Sequence, residues 1–201
     1  MPRAPRPRAD EVRWAERVTG RPFIPDPGRR GVSDADYASV RAHTALHVVK
    51  GAAVRVLGEG AKWTAGTFVE GGHGRLTLKF DRRPTPEEVS RIEEEANRCV
   101  ERDLRIEVLD MERGEAESRF GDLIYDLFPV PADVRVLRVV LIRDVDGSIW
   151  NVNACNKQHT ESTGQVGRIT LGKVRFRPSR GILEIPFDVS GSLTAERTLD
   201  G

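Results

Sequence analysis

Two pairs of metal-binding side chains, far apart in the chain and identically spaced, restrict the folds open to this sequence. The first pair is His43-Thr-Ala-Leu-His47 and the second is Cys155-Asn-Lys-Gln-His159, with 112 positions from His43 to Cys155. On a helix, positions i and i+4 share a face, so both imidazoles of the first pair can reach one ion. Three imidazole nitrogens and one thiolate suit zinc. The competing reading makes His43 and His47 helix-surface residues and Cys155 a core thiol. It must treat as chance a pattern that uses three of only four histidines and one of only two cysteines. A zinc finger gathers its ligands within about 30 residues, so here the site has to be assembled across the fold. The metalloprotease motif needs a glutamate directly after its first histidine; Thr44 stands there and cannot serve as a general base.

The segments around these pairs define the fold class. Ser33 is placed to cap a helix with Asp34 and Asp36 in its first turn, running to about Leu57 and stopped by Gly58 and Gly60. Ala45, Val49, Ala52, Ala53 and Val56 give this helix one core face, turned away from His43, which puts the histidines toward the edge of the core. Strands are expected over 62–70 and 75–80, flanking a turn at Gly71-Gly72-His73-Gly74, with His73 as a turn residue rather than a ligand. Thr85-Pro-Glu-Glu opens a second helix, whose apolar stripe of Val89, Ile92, Ala96 and Cys99 makes Cys99 a core residue. A strand over 104–109, a short charged helix over 111–119, a loop over 120–131 and an apolar strand over 134–142 follow. Asp146-Gly147 is a turn, and Trp150-Asn-Val-Asn-Ala is a strand end leading into the second ligand pair. A last hairpin joins 168–176 to 181–187 across Pro178-Ser-Arg-Gly. Strands that mostly pair with sequence neighbours, interrupted by two long helices, give an α+β domain with a largely antiparallel sheet packed with helices.

At 201 residues the chain can bury a core without disulfides. Residues 1–35 differ from the rest: they hold six of the twelve prolines and eight arginines against five acidic residues. They read as a basic, proline-rich N-terminal extension to a domain over 36–201, disordered at its start with a short helix over 10–18. The extension is either passive or a basic arm for RNA. A net charge of +1 excludes a protein held to nucleic acid by bulk charge alone. No run approaches the ~18 apolar residues of a membrane helix, and the N-terminus lacks the apolar stretch of a secretory signal. Two cysteines exclude a disulfide scaffold and point to a reducing compartment, so the expected location is cytoplasmic, with no membrane partner. Lys173, Arg175 and Arg177 alternate with Val174 and Phe176. On a strand this is a basic stripe over a buried face, either an RNA-backbone contact or a solvated surface.

Taken in order, the motifs resemble those of the editing domains of alanyl-tRNA synthetase and, relatedly, threonyl-tRNA synthetase. The similarity is closest to the short free-standing alanyl-tRNA editing proteins of the AlaX family. It covers 41–189 and rests on His43-Thr-Ala-Leu-His47-Val-Val-Lys-Gly, Ala61-Lys-Trp-Thr64, Tyr125-Asp-Leu-Phe-Pro-Val-Pro131 and Asn151-Val-Asn-Ala-Cys155-Asn-Lys-Gln-His159-Thr. It continues through Thr163-Gly-Gln-Val-Gly167 and Val174-Arg-Phe-Arg177 to Leu183-Glu-Ile185. The synthetase-embedded domain usually has Gly-Gly-Thr where this chain has Asn156-Lys157-Gln158, and short free-standing members look like this chain. Gln165 stands where the family often has Glu. The 42 residues before His43 are too few and too proline-rich for the barrel that precedes the histidine pair in the synthetases and longer free-standing proteins.

The resemblance implies a synthetase-type editing fold and a trans-acting hydrolase. Its substrate would be serine wrongly esterified to the alanine tRNA. It implies that His43, His47, Cys155 and His159 hold one zinc ion, and that Thr64 faces the amino-acid pocket and reads the serine hydroxyl. Thr64 is otherwise a strand threonine chosen for β propensity. Two alternatives stay open: deacylation of another mischarged pair, such as serine on threonine tRNA, and an RNA-binding module whose zinc is only structural. Catalytic zinc usually keeps one open position, so a four-ligand ion is expected to position substrate rather than make the nucleophile.

Overall fold

The computed structural model of the protein describes residues 33–128 and 130–191. Nearly all of the expected extension over 1–35, including the helix over 10–18, therefore lies outside the described residues. The elements are α1 (Asp34–Leu57), β1 (Thr64–Glu70), β2 (His73–Lys79), α2 (Pro86–Glu101), β3 (Ile106–Glu112) and α3 (Arg113–Phe120). They continue with β4 (Val136–Arg143), β5 (Ile149–Ala154), β6 (Arg168–Leu171), β7 (Arg175–Arg177) and β8 (Ile182–Ser190).

Among the described residues all strand pairings are antiparallel, and they build two sheets. One has the order β1-β2-β8-β6, with β7 also paired to β8; the other is β3-β4-β5. With the helices packed between and around them, this is the expected α+β class. The expected single strand over 168–176 is instead two strands, β6 and β7, set end to end along β8. The break has a cause in β8. The Pro186 carbonyl accepts from Gly172 N–H at 2.8 Å, but proline has no N–H to return to that neighbour, so the ladder stops there. The first hairpin is also tighter than expected. Its turn is Gly71-Gly72 alone, and His73 and Gly74 belong to β2.

α1 begins where Ser33 Oγ accepts from the Asp36 N–H at 3.1 Å. It ends where Gly58, at φ +86°, donates to the Val54 carbonyl. It touches β1, β2 and β8 of the larger sheet, β5 of the smaller one, and α2. In consequence every residue from Thr44 to Ala53 is buried, not the single face that the spacing suggested. Burial on all sides demands small residues at the closest approach. A Cβ on Gly51 would lie 2.6 Å from the Trp150 carbonyl oxygen, so glycine lets α1 press against β5. The Trp150 indole N–H then donates to the Val48 carbonyl at 3.2 Å.

α2 carries a complete capping box: Thr85 Oγ1 accepts from the Glu88 N–H, and the Glu88 carboxylate accepts from the Thr85 N–H. Ile92, Ala96 and Cys99 are buried as expected. Burial pushes the Cys99 thiol up to about 12, the behaviour of an inert core cysteine. β4 is apolar because both of its faces are covered. Val140 and Ile142 join the main core, while Leu137, Val139 and Leu141 join a second cluster with Met111, Phe120 and Ile124. Among the described residues no helix is long and apolar enough to cross a membrane.

Candidate metal centre and its cavity

α1 sets His43 and His47 one turn apart, and the end of β5 delivers Cys155. The loop carrying His159 is fastened to α1 by Thr44, whose hydroxyl accepts from the Thr160 N–H at 3.0 Å and donates to the Val40 carbonyl. Cys155 is fixed by its own N–H, which donates to the Arg138 carbonyl at 2.9 Å. The two distant pairs thereby converge. His43 Nε2 lies 3.2 Å from Cys155 Sγ, and His47 Nε2 lies 3.2 Å from His159 Nε2. All four donor atoms fall within 4.8 Å of one another, a cluster able to hold a metal ion.

The chemistry of the set fits zinc. Bond lengths of about 2.0–2.1 Å to nitrogen and about 2.3 Å to sulfur put tetrahedral ligand atoms roughly 3.3–3.6 Å apart. Two contacts already have about that length. His47 Nδ1 donates to Asn151 Oδ1 at 2.9 Å, which leaves the Nε2 lone pair aimed at the cluster. Burial pushes the His43 imidazolium down to about 3, with His47 and Lys157 adding repulsion. Burial likewise lowers His47 to about 4, against the Asn151 hydrogen bond, and holds His159 well below 6.5. The three rings are therefore neutral, the form that ligates a metal. Burial raises the Cys155 thiol to about 11, so only a bound cation would make it a thiolate at neutral pH.

Beside the donors is a cavity of about 170 Å³, lined by His43, His47 and Cys155 and also by Thr64, Lys50, Asp126 and Asn153. Thr64, at the start of β1, is 4% exposed, and its hydroxyl has no hydrogen-bond partner among the described residues. Its carbonyl accepts from the Leu127 N–H at 2.9 Å, which holds the loop after α3 against β1. Burying a hydroxyl without a partner is costly, so the Thr64 hydroxyl favours a polar group that enters the cavity.

Sequence reasoning missed several residues here. Lys50 is 5% exposed and donates to Asp126 Oδ1 at 3.1 Å and to Asn153 Oδ1. Asn153 Nδ2 also donates to Asp126 Oδ1, at 3.1 Å. Burial lowers the Lys50 ammonium, and the Asp126 charge opposes that shift. The available signals were a lone lysine within the apolar run Val48–Ala53 and two asparagines, Asn151 and Asn153, alternating with apolar residues in β5. Asp126 had no such signal.

The basic stripe lies elsewhere. Lys173 sits in the link between β6 and β7, and Arg175 and Arg177 are exposed on β7; none of them lines the cavity. Arg177 Nε donates to Glu184 Oε1 at 2.9 Å, so part of its charge is matched. The register adds Arg75 and Lys79 of β2 to the same outward face. His73 is exposed and contacts Asp188 at 2.9 Å, away from the metal donors. Gln165 Oε1 accepts from the Glu161 N–H at 2.8 Å, a loop-holding contact.

No protein-family model matches the chain. Similar curated proteins are alanine–tRNA ligases. That of Pyrobaculum neutrophilum is 37% identical over 175 residues, which is 85% of this chain and 19% of the ligase. That of Methanopyrus kandleri is 39% identical over 158 residues, 78% of this chain and 16% of the ligase. That of Pyrococcus abyssi is 41% identical over 132 residues, 66% and 14% respectively. Over most of its length the chain is thus homologous to alanine–tRNA ligases, of whose length it spans less than a fifth.

Proposed function

We propose that this chain is an aminoacyl-tRNA deacylase that hydrolyses serine mischarged onto the alanine tRNA, acting in trans as a short free-standing editing protein. The observation that carries this reading is the unpartnered, buried Thr64 hydroxyl in a cavity also lined by three of the four convergent metal donors, His43, His47 and Cys155. The homology to alanine–tRNA ligases supports the alanine tRNA as partner. A site built to pair with a substrate hydroxyl rejects the analogue that lacks it, because its own polar group then stays unpaired. Thr64 would thus accept serine and spare the correctly attached alanine.

His43, His47, Cys155 and His159 would hold one zinc ion. When bound, the ion supplies a positive charge that fixes a substrate donor or polarises the ester carbonyl. Four protein donors fill a tetrahedron, which favours positioning over generating the nucleophile. Histidines whose lone pairs are committed to a metal cannot also act as general bases. Lys173, Arg175 and Arg177, with Arg75 and Lys79 beside them, form the face we assign to the RNA backbone. We divide the chain into an editing domain over 36–201 and a basic segment over 1–35, working in the cytoplasm where charged tRNA is used.

The filled donor set also favours a second reading, an RNA-binding module with a structural zinc. Metal removal separates the two: a structural site unfolds with its metal, and a functional one loses activity with its fold kept. The direct test incubates the zinc-loaded protein with seryl- and alanyl-esters of the alanine tRNA and follows ester loss. Rapid loss of serine with alanine spared is the expected result. Loss of neither, with bound zinc confirmed, overturns the proposal for these substrates.

A further inference from the structure

Two lysines line the cavity, and only one of them has a counter-charge. Lys50 is buried and committed to Asp126 and Asn153. Lys157, between the donors Cys155 and His159, is exposed at the cavity rim. Among the described residues its ammonium makes neither an ion pair nor a hydrogen bond. Its loop is fixed on both sides: the Cys155 N–H donates to the Arg138 carbonyl, and the Thr160 N–H donates to the Thr44 hydroxyl. The charge of Lys157 reaches the donors, lowering both the His43 imidazolium and the Cys155 thiol. A metal cation in the cluster would meet that charge as repulsion. A cation placed beside the donors at that cost points to an anion supplied from outside.

The substrate of the proposed reaction brings one. The ribose that carries the aminoacyl ester also carries, on the same ring, the last phosphodiester of the RNA. At about 170 Å³ the cavity falls below the roughly 300–1,000 Å³ of sites that enclose a drug-sized ligand. It has room for the aminoacyl group and leaves the nucleotide at the rim, where Lys157 stands. The basic face cannot supply this contact, because Lys173, Arg175 and Arg177 do not line the cavity. A lysine ammonium on a long flexible stem suits a phosphate as a point charge. We propose that Lys157 binds the phosphodiester on the 5′ side of the esterified nucleotide and so sets the ester in register with the metal donors. The basic face would then take phosphates farther from the ester. The inference rests on the deacylase reading.

The test uses the seryl ester of the alanine tRNA in two forms, one natural and one whose last phosphodiester is replaced by an uncharged methylphosphonate. Both are given to the zinc-loaded wild type and to Lys157→Met. Methionine keeps the apolar stem and removes the charge; Lys157→Gln gives the same readout should the first variant fail to fold. In the wild type the methylphosphonate is expected to raise KM roughly 3- to 10-fold, between an exposed ion pair and a hydrogen bond to a charged group. The accompanying kcat should stay within about twofold, the mark of binding that is equal in ground and transition states. Lys157→Met should show the raised KM on the natural ester and no further rise on the methylphosphonate, while Lys157→Arg should respond as the wild type does. Zinc affinity in Lys157→Met should be no lower than in the wild type, because a like charge has left the donors. A wild type indifferent to the methylphosphonate overturns the inference and leaves the deacylase intact. So does a Lys157→Met enzyme that still responds in full, which assigns the phosphate to another group. Hydrolysis of neither ester by the wild type overturns the deacylase reading, and this inference with it.

Discussion

At the scale of single residues, the metal centre depends on groups that do not touch the metal. His47 presents Nε2 to the cluster only because its Nδ1 proton is held by Asn151 at 2.9 Å. Loss of such an outer partner typically costs 10- to 100-fold in metal affinity. Asn151→Ala is therefore expected to weaken zinc binding by roughly that factor with the fold kept, as read by competition with a chromophoric chelator. Unchanged affinity would mean that the ring is oriented by packing alone. The donor pairs were legible because helical spacing and the scarcity of histidine both leave a mark in the sequence. Asp126 was not, because its partner Lys50 lies 76 positions away and a loop carboxylate has no periodicity to betray it. Its block was visible only through the family resemblance.

At the scale of elements, local chemistry fixed the ends of the helices and long-range pairing fixed the rest. Ser33, Gly58 and the Thr85–Glu88 box sit where capping preference puts them. The division of 168–176 into β6 and β7 was hidden, because its cause, Pro186, lies in the partner strand. The complete burial of Thr44–Ala53 was hidden too, since α1 touches both sheets and only the tertiary arrangement reveals it. The capping box gives a prediction with a definite sign. The Arg82 hydrogen bond, helped by the Thr85 N–H, holds the Glu88 carboxyl down from 4.5 to about 2. A depressed carboxyl stabilises the fold fully above its unfolded pKa, and this contribution fades as pH falls through its folded pKa. Glu88→Gln should thus melt slightly below the wild type at pH 7, and the two melting points should converge as the pH approaches 2. A gap that stays constant down to that pH would show that the charge of Glu88 contributes nothing.

At the scale of the whole molecule, the cavity is assembled from parts that no local segment contains. α1 brings His43, His47 and Lys50; β1 brings Thr64; β5 and its following loop bring Asn153 and Cys155; the loop after α3 brings Asp126. The spacing of 112 positions announced that the chain must close on itself, and the two antiparallel sheets around α1 are how it does so. The tertiary arrangement also separates the metal cavity from the basic face, where Arg75 and Lys79 join Arg175 and Arg177 across β8. The central claim is that the unpartnered hydroxyl of Thr64 gives this cavity its preference for serine. Its most direct test is Thr64→Val, which keeps the side-chain shape and removes the hydroxyl, in the same assay of seryl- against alanyl-tRNA. The serine-over-alanine ratio of kcat/KM is expected to fall by roughly 10- to 100-fold, with zinc content unchanged and a melting temperature no lower than that of the wild type. A ratio equal to that of the wild type would contradict the account.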